Sequence, residues 1–171
     1  MQKVEPLTRS FMKILIVSDS HGEGGRLARL LRLHSDAEAV FFLGDGLSDA
    51  EFVSGENSSV AWFAVRGNCD PIPIFRGCPV DKVGAVTLSG KRIVYTHGDL
   101  YGAKYGEGGL VALMQKENAD ILLYGHTHTP NLKYFDGHYL FNPGALSGFA
   151  PSYGLLTLDG DNVLFSHGTV I

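Results

Sequence analysis

Sulfur, basic clusters and long apolar runs are scarce in this 171-residue chain. There are two cysteines, Cys69 and Cys78, too far apart for a CxxC motif. Two thiols do not make the disulfide framework of a small secreted domain, so a reducing, cytoplasmic setting is expected. No apolar stretch reaches the roughly 18 residues of a membrane-spanning helix, so no membrane partner is expected. The opening segment, MQKVEPLTRSF, lacks the apolar centre of a secretory leader. Fourteen Lys and Arg stand against 18 Asp and Glu, a formal net charge of −4 with no basic run. That balance argues against nucleic-acid binding by bulk electrostatics. Nucleic acid then enters only as a substrate of a structured site. No linker, internal repeat or low-complexity segment interrupts the chain.

Hydrophobic residues make up 44% and charged residues 19%, the balance of a soluble globular domain with a sizeable core. Met12 reads as the natural start, with residues 1–11 a loosely ordered upstream extension and residues 12–171 a single domain. KILIV (13–17) is short, continuously apolar and β-branched, as buried strands are. In GGRLARLLRLH (24–34), Leu27, Leu30, Leu31 and Leu33 recur near the helical period between arginines. Strands are expected at 39–43 and 60–65, with a short helix at 47–53. This βαβαβ order predicts a parallel sheet with crossover helices. The later chain reads differently. A hairpin is expected around Ser89-Gly90, a helix over 109–119, a buried strand over 120–125, and two hairpins on Asp-Gly turns at 136–137 and 159–160. An α/β class results, with two packed sheets and helices outside.

The chemistry lies in the residues immediately after the strands. Five apolar runs end in small residues beside metal-capable side chains: Ser18-Asp19-Ser20-His21, Gly44-Asp45, Gly67-Asn68, His97-Gly98-Asp99 and His126-Thr127-His128. In α/β sheets, ligands bind just outside the carboxyl ends of strands, so these clusters are expected to converge. Asp19 and His21 are spaced i, i+2, as are His126 and His128; in an extended segment such pairs share a face. The converging donors are Asp19, His21, Asp45, Asn68, His97, His126 and His128. Seven oxygen and nitrogen ligands exceed what one ion needs and suit two ions sharing a carboxylate. Imidazole, carboxylate and amide donors favour Mn, Fe, Zn, Co or Ni, and the histidines disfavour a calcium cage.

The ordered set D-x-H, GD, GN-x-D, H-G-D and G-H-x-H resembles the calcineurin-like metallophosphoesterase superfamily. Residues 12–171 are similar to its small bacterial and archaeal phosphodiesterase branch, with GNCD and FNPGAL in support. The resemblance implies a four-layer αββα sandwich of two mixed β-sheets flanked by helices. It implies two divalent metal ions, Mn first, with Fe, Zn, Co, Ni or Mg as the other candidates. Asp19, His21, Asp45 and His128 would hold one ion, and Asp45, Asn68, His97 and His126 the other, Asp45 bridging. The implied reaction is phosphodiester hydrolysis by a metal-bridging hydroxide, without a covalent intermediate. Asn68, Asp70 and His97 are the expected catalytic groups, and Asn68, Cys69, His97 and Thr127 the expected substrate contacts. The substrate is a phosphodiester small molecule or nucleotide.

Cys69 departs from the superfamily pattern, in which many members carry a histidine thought to contact or protonate the leaving group. Losing a positioned general acid typically costs about 10²–10⁴ in rate, so diesters are expected over monoesters. Phosphomonoesterase or nucleotide phosphatase activity, or a non-catalytic protein-interaction module, are the alternatives. Asp49 reads equally as a helix first-turn residue or as a support of the metal environment, and Asp99 as a support orienting a histidine. Asp70 reads as a support orienting a histidine. His34, His138 and His167 read as ordinary structural histidines, and Cys78 as structural. The hairpin edges leave association into a homo-oligomer open.

Overall fold

The computed structural model describes residues 11–56 and 59–171. Residues 1–10 of the expected extension lie outside the described residues. Phe11, placed with them, instead opens the first strand and pairs with Asp159.

The elements are β1 (Phe11–Val17), α1 (Gly24–Leu33), β2 (Ala39–Phe42), α2 (Leu47–Glu56), β3 (Ala61–Ala64), β4 (Ile74–Phe75), β5 (Cys78–Pro79), β6 (Val83–Leu88), β7 (Lys91–Thr96), a 3₁₀ turn (Asp99–Tyr101), α3 (Gly108–Lys116), β8 (Ile121–Leu123), β9 (Asn131–Phe135), β10 (His138–Asn142), β11 (Ser152–Asp159) and β12 (Asn162–Thr169). One sheet has the order β12-β11-β1-β2-β3 and the other β6-β7-β8-β10-β9, with β4 and β5 forming a small separate ribbon. Both sheets are mixed. β1, β2 and β3 run parallel in the first, and β7, β8 and β10 in the second. The outer pairings are antiparallel.

Alternate side chains explain the four layers, because strand side chains point to opposite faces with period 2. Along β1, Leu15 and Val17 pack outward with Leu27, Leu30, Leu31 and Val53 of α1 and α2. Ile14 and Ile16 point inward, beside Phe41, Ile93, Ile121 and Phe141 between the two sheets. In the second sheet, Val94, Leu122 and Leu140 take the outer side and meet Leu110, Leu113 and Met114 of α3. The chain is therefore an αββα sandwich, mixed α/β in class. Both central sheets are covered on both faces, which is why KILIV and ILL are continuously apolar.

Several boundaries moved for local reasons. Leu33 is 66% exposed, because a residue two positions from Leu31 cannot share its helix face. α3 ends at Lys116, three residues early. Asn118 turns left-handed, with φ 50, and Ala119 N–H reaches back to the Met114 carbonyl, a Schellman-type stop. The turns at Ser89-Gly90 and Asp136-Gly137 have both central residues at positive φ, the type I′ geometry that matches hairpin twist. The last hairpin turns one residue later than expected, since Asp159 already pairs with Asn162. The β4–β5 ribbon and the 3₁₀ turn had no periodic signal. No helix among the described residues is long and apolar enough to cross a membrane.

Candidate metal centre

The loops after β1, β2, β3, β7 and β8 meet at one edge of the sandwich. They do so through unusual backbone. Asp19 (φ 54), His21 (φ 43), Asp45 (φ 59), His126 (φ 67) and His128 (φ 60) are all left-handed. Such non-glycine conformations cost of order 1–3 kcal/mol each and persist only where surroundings over-determine them. The expectation that Asp19/His21 and His126/His128 share a face through extended backbone is therefore corrected. The strands have already ended, and left-handed turns carry these side chains across the sheet edge. The loops brace one another: Asp19 N–H bonds the Gly44 carbonyl and His21 N–H the Asp45 carbonyl. His126 N–H bonds Asp19 Oδ2 at 3.0 Å.

Two groups of donor atoms result. Asp19, His21 and His128 form one, and Asp45, His97 and His126 the other, each with its ligand atoms within 4.8 Å of one another. His128 Nε2 lies 3.0 Å and His21 Nε2 3.7 Å from Asp19 Oδ1. His97 Nε2 stands 3.1 Å from His126 Nδ1. Asp45 Oδ2 sits between the groups, 3.3 Å from His97 Nε2 and 3.9 Å from His21 Nε2. Asn68, expected with the second group, is not among these donors.

Supporting contacts leave the right atoms free. Asp19 Oδ2 accepts from Ser18 Oγ at 2.5 Å and from His126 N–H, whereas Oδ1 is buried and, among the described residues, has no hydrogen bond of regular geometry. His128 Nε2 lies against Oδ1 at 3.0 Å, and this contact with Asp19 raises the His128 pKa. A buried carboxylate oxygen facing the His21, His97 and His128 imidazoles is what a cation would satisfy, so the donor set fits a metal. His97 is fully buried, and its Nδ1–H donates to the Leu43 carbonyl at 2.8 Å, which turns Nε2 toward the site. Bare backbone is required nearby. A Cβ on Gly67 would stand 1.9 Å from Asp45 Oδ1, and one on Gly125 would stand 2.0 Å from Ser18 Oγ.

Asp70, expected among the catalytic groups, accepts four backbone N–H bonds. Oδ1 takes Gly46 and Leu47, and Oδ2 takes Asp45 and Gly67. It orients the backbone of the Asp45 loop rather than a histidine. Asp49 accepts from Ser20 Oγ and Gly22 N–H and so holds the loop that carries His21. Asp99 pairs with Lys82 at 2.6 Å. Asn68 turns its Nδ2 to Cys69 Sγ at 3.3 Å. Thr127 Oγ1 accepts from Asn142 Nδ2 at 3.1 Å. His34, His138 and His167 bond Tyr153, the Ala119 carbonyl and the Asn142 carbonyl, away from the centre. Cys78 is exposed, so its structural reading reduces to a place in β5.

Electrostatics follow from these contacts. Burial raises the Asp45 pKa, but His97 and the Cys69 N–H outweigh it and hold the carboxyl far below the usual range. Burial lowers that of His97, and Asp45 and Asp19 overturn this and raise it. For His126, burial and then His97 lower the pKa, favouring the neutral imidazole. Burial, followed by the Asp45, Asp70 and Asp19 carboxylates, pushes the Cys69 thiol up, which opposes an activated nucleophile.

Sequence reading gave Asn142 no role of its own, only a place in a turn, NPGAL, expected beside the site. Asn142 is fully buried, donates to the Gly125 carbonyl and Thr127 Oγ1, and locks the loop bearing His126 and His128. Its signal was present: β10 is a sixth parallel strand ending, in FNPG, on a polar residue.

Residues 12–162 match the family model described as the calcineurin-like phosphoesterase superfamily domain. A probable metallophosphoesterase from Bacillus subtilis, YsnB, is 30% identical over 154 residues, covering 88% of this chain and 86% of that one. Phosphodiesterase YfcE from Escherichia coli is 34% identical over 171 residues, covering 86% and 89%. Among solved structures, vacuolar protein sorting 29 from Cryptosporidium parvum matches with a TM-score of 0.74 at 19% identity, covering 93% and 97%, a likeness of fold.

Proposed function

The chain belongs to the calcineurin-like phosphoesterase superfamily, and on that premise we propose that it is a dinuclear metal-dependent phosphodiesterase. The observation that carries the reading is Asp45 Oδ2, one carboxylate oxygen facing an imidazole of each donor group. Asp19, His21 and His128 would hold one ion, His97, His126 and Asn68 the other, and Asp45 both. Manganese heads the candidates, ahead of Fe, Zn, Co, Ni and Mg. When bound, such a pair supplies Lewis-acid stabilisation of phosphoryl charge and activation of water at neutral pH.

The chain's own residues do the rest. His97 keeps its Nε2 lone pair on the site because Nδ1–H is committed to Leu43. Ser18 and the His126 N–H hold Asp19 in one rotamer. Asp70 fixes the backbone from which Asp45 projects. Preorganised groups of this kind need not reorganise during reaction. One cavity borders the donors directly, and a second reaches only Thr127 in the loop between His126 and His128. The first, of about 240 Å³, is bordered by His21, Asp45, Cys69 and Ile72. The other, of about 440 Å³, is bordered by Tyr124, Thr127, Thr129 and Lys133. A diester carries two substituents on phosphorus, and the cavity beside His21 and Asp45 gives one of them a place. A small molecule, a nucleotide or a nucleic-acid end meets that description.

The test uses purified protein, Mn²⁺ and an aryl phosphodiester, with an aryl phosphomonoester alongside. Metal-dependent diester turnover that disappears in Asp45→Ala and His97→Ala is the expected result. Absence of turnover above those variants across several metals overturns the proposal. A faster monoester rate replaces it with a phosphomonoesterase. The interaction-module reading draws on vacuolar protein sorting 29, whose likeness is one of fold. Two groups of histidine and aspartate donors favour catalysis instead.

A further inference from the structure

The two donor groups above use only oxygen and nitrogen. A third grouping overlaps them and contains sulfur. His21, Asp45 and Cys69 also place one ligand atom each within 4.8 Å of one another. Cys69 reaches this position because its N–H is held by Asp45 Oδ1 at 2.7 Å, which ties the residue directly to the carboxylate. The cavity of about 240 Å³ runs past these three side chains to Pro71 and Ile72. His21 and Cys69 are open to solvent there, while Asp45 is buried. The neighbouring Asp19 Oδ1, fully buried, also faces His21, at 3.7 Å. His21 thus stands between an oxygen partner and a sulfur partner.

His21 Nε2 lies 3.7 Å from Asp19 Oδ1 and 3.9 Å from Asp45 Oδ2, and its one lone pair serves one cation at a time. The grouping with Asp19 and His128 and the grouping with Asp45 and Cys69 therefore compete for it. Their chemistry differs in a way that selects metals. Each grouping brings one carboxylate; hard manganese or magnesium prefers the set without sulfur, and thiolate selects softer cations such as zinc and cadmium. We propose that His21, Asp45 and Cys69 form an inhibitory site for a thiophilic divalent cation, which withdraws His21 from the Asp19–His128 group and occupies the cavity beside the centre. As the sulfur–metal bond forms, the thiol gives up its proton to solvent, and no electron is transferred. The proposal rests on the dinuclear reading for what is inhibited, but the sulfur-containing site is detectable without turnover.

The probe is Cd²⁺ added to Mn²⁺-loaded protein. Cys78 is the second thiol and is exposed, so the work is done in a Cys78→Ser background. One equivalent of Cd²⁺ is expected to produce a near-ultraviolet thiolate-to-cadmium charge-transfer band, with aryl diesterase activity falling in step. In Cys69→Ser/Cys78→Ser the band is absent. Half-inhibition, measured against that variant's own cadmium-free rate, shifts to higher Cd²⁺ by at least about tenfold, the least that losing even an outer partner costs a metal site. Absence of the band in Cys78→Ser overturns the proposal, as does inhibition at unchanged Cd²⁺ after Cys69→Ser. Without diester turnover, the function reading fails on its own, while the band still decides the site.

Discussion

Replacing Asp70 tests the most specific structural role. Its two oxygens receive four backbone N–H groups at 2.8, 2.8, 2.9 and 2.8 Å, from Asp45, Gly46, Leu47 and Gly67. Hydrogen bonds to a charged group contribute about 1.5–3 kcal/mol each, so simple addition gives about 6–12 kcal/mol. That sum is too large, because the side chain is only part-buried. Water replaces some partners, and bonds sharing one carboxylate are not additive. A loss of about 3–4 kcal/mol is expected for Asp70→Ala, a large share of the 5–15 kcal/mol typical of a domain. Asp70→Asn keeps one oxygen for two donors but sets an amide NH₂ against the others, and about 2 kcal/mol is expected. The chain's single tryptophan, Trp62, lies on β3 with its ring 5.8 Å from Phe75. Urea unfolding of metal-free protein can therefore be followed by its fluorescence. Calorimetric titration with Mn²⁺ provides a second readout, expected to weaken about 10–100-fold as the Asp45 backbone is released. Unfolding of both variants within about 0.5 kcal/mol of wild type, the range of a neutral surface change, refutes the clamp. If Asp70→Ala is too unstable to purify, Asp70→Asn still decides.

Two further predictions concern the same loops. Gly67→Ala brings a Cβ to 1.9 Å from Asp45 Oδ1 and 2.6 Å from its Cγ. The carboxylate is displaced at an overpacking cost of about 1–3 kcal/mol, and calorimetric Mn²⁺ binding is expected to collapse; wild-type affinity would show that the Gly67–Asp45 approach is unimportant. Cys69→His installs an imidazole beside Asp45 and His21, where a leaving group can receive a proton. Monoesterase activity is expected to rise relative to diesterase activity, by up to about 10²–10⁴, in parallel assays on aryl substrates; a ratio that does not move rejects this account of position 69.

Much of the molecule was legible because its signals are local. KILIV and ILLYG announce buried strands, Leu27, Leu30 and Leu31 mark a helix stripe, and Ser89-Gly90 and Asp136-Gly137 mark turns, all within a few residues of sequence. The strand ends were legible for the same reason, since each carries its donors immediately after its apolar run. The short ribbon of β4 and β5 was not, because pairing between two-residue strands leaves no periodicity.

The identity of the donor atoms, and the parallel strands that carry them to one edge, were determined by the sequence alone. Tertiary structure decided how they are held. Asp70 meets residues 23–25 positions earlier, and Asp19 Oδ2 meets the His126 N–H 107 positions later. No local pattern encodes partners so distant. The left-handed turns at Asp19, His21, Asp45, His126 and His128 belong to the same class, because only contacts from neighbouring loops offset their strain. Cys69 shows the division most clearly: its identity is read from one letter, and its place beside both His21 and Asp45 exists only after three strand ends have met.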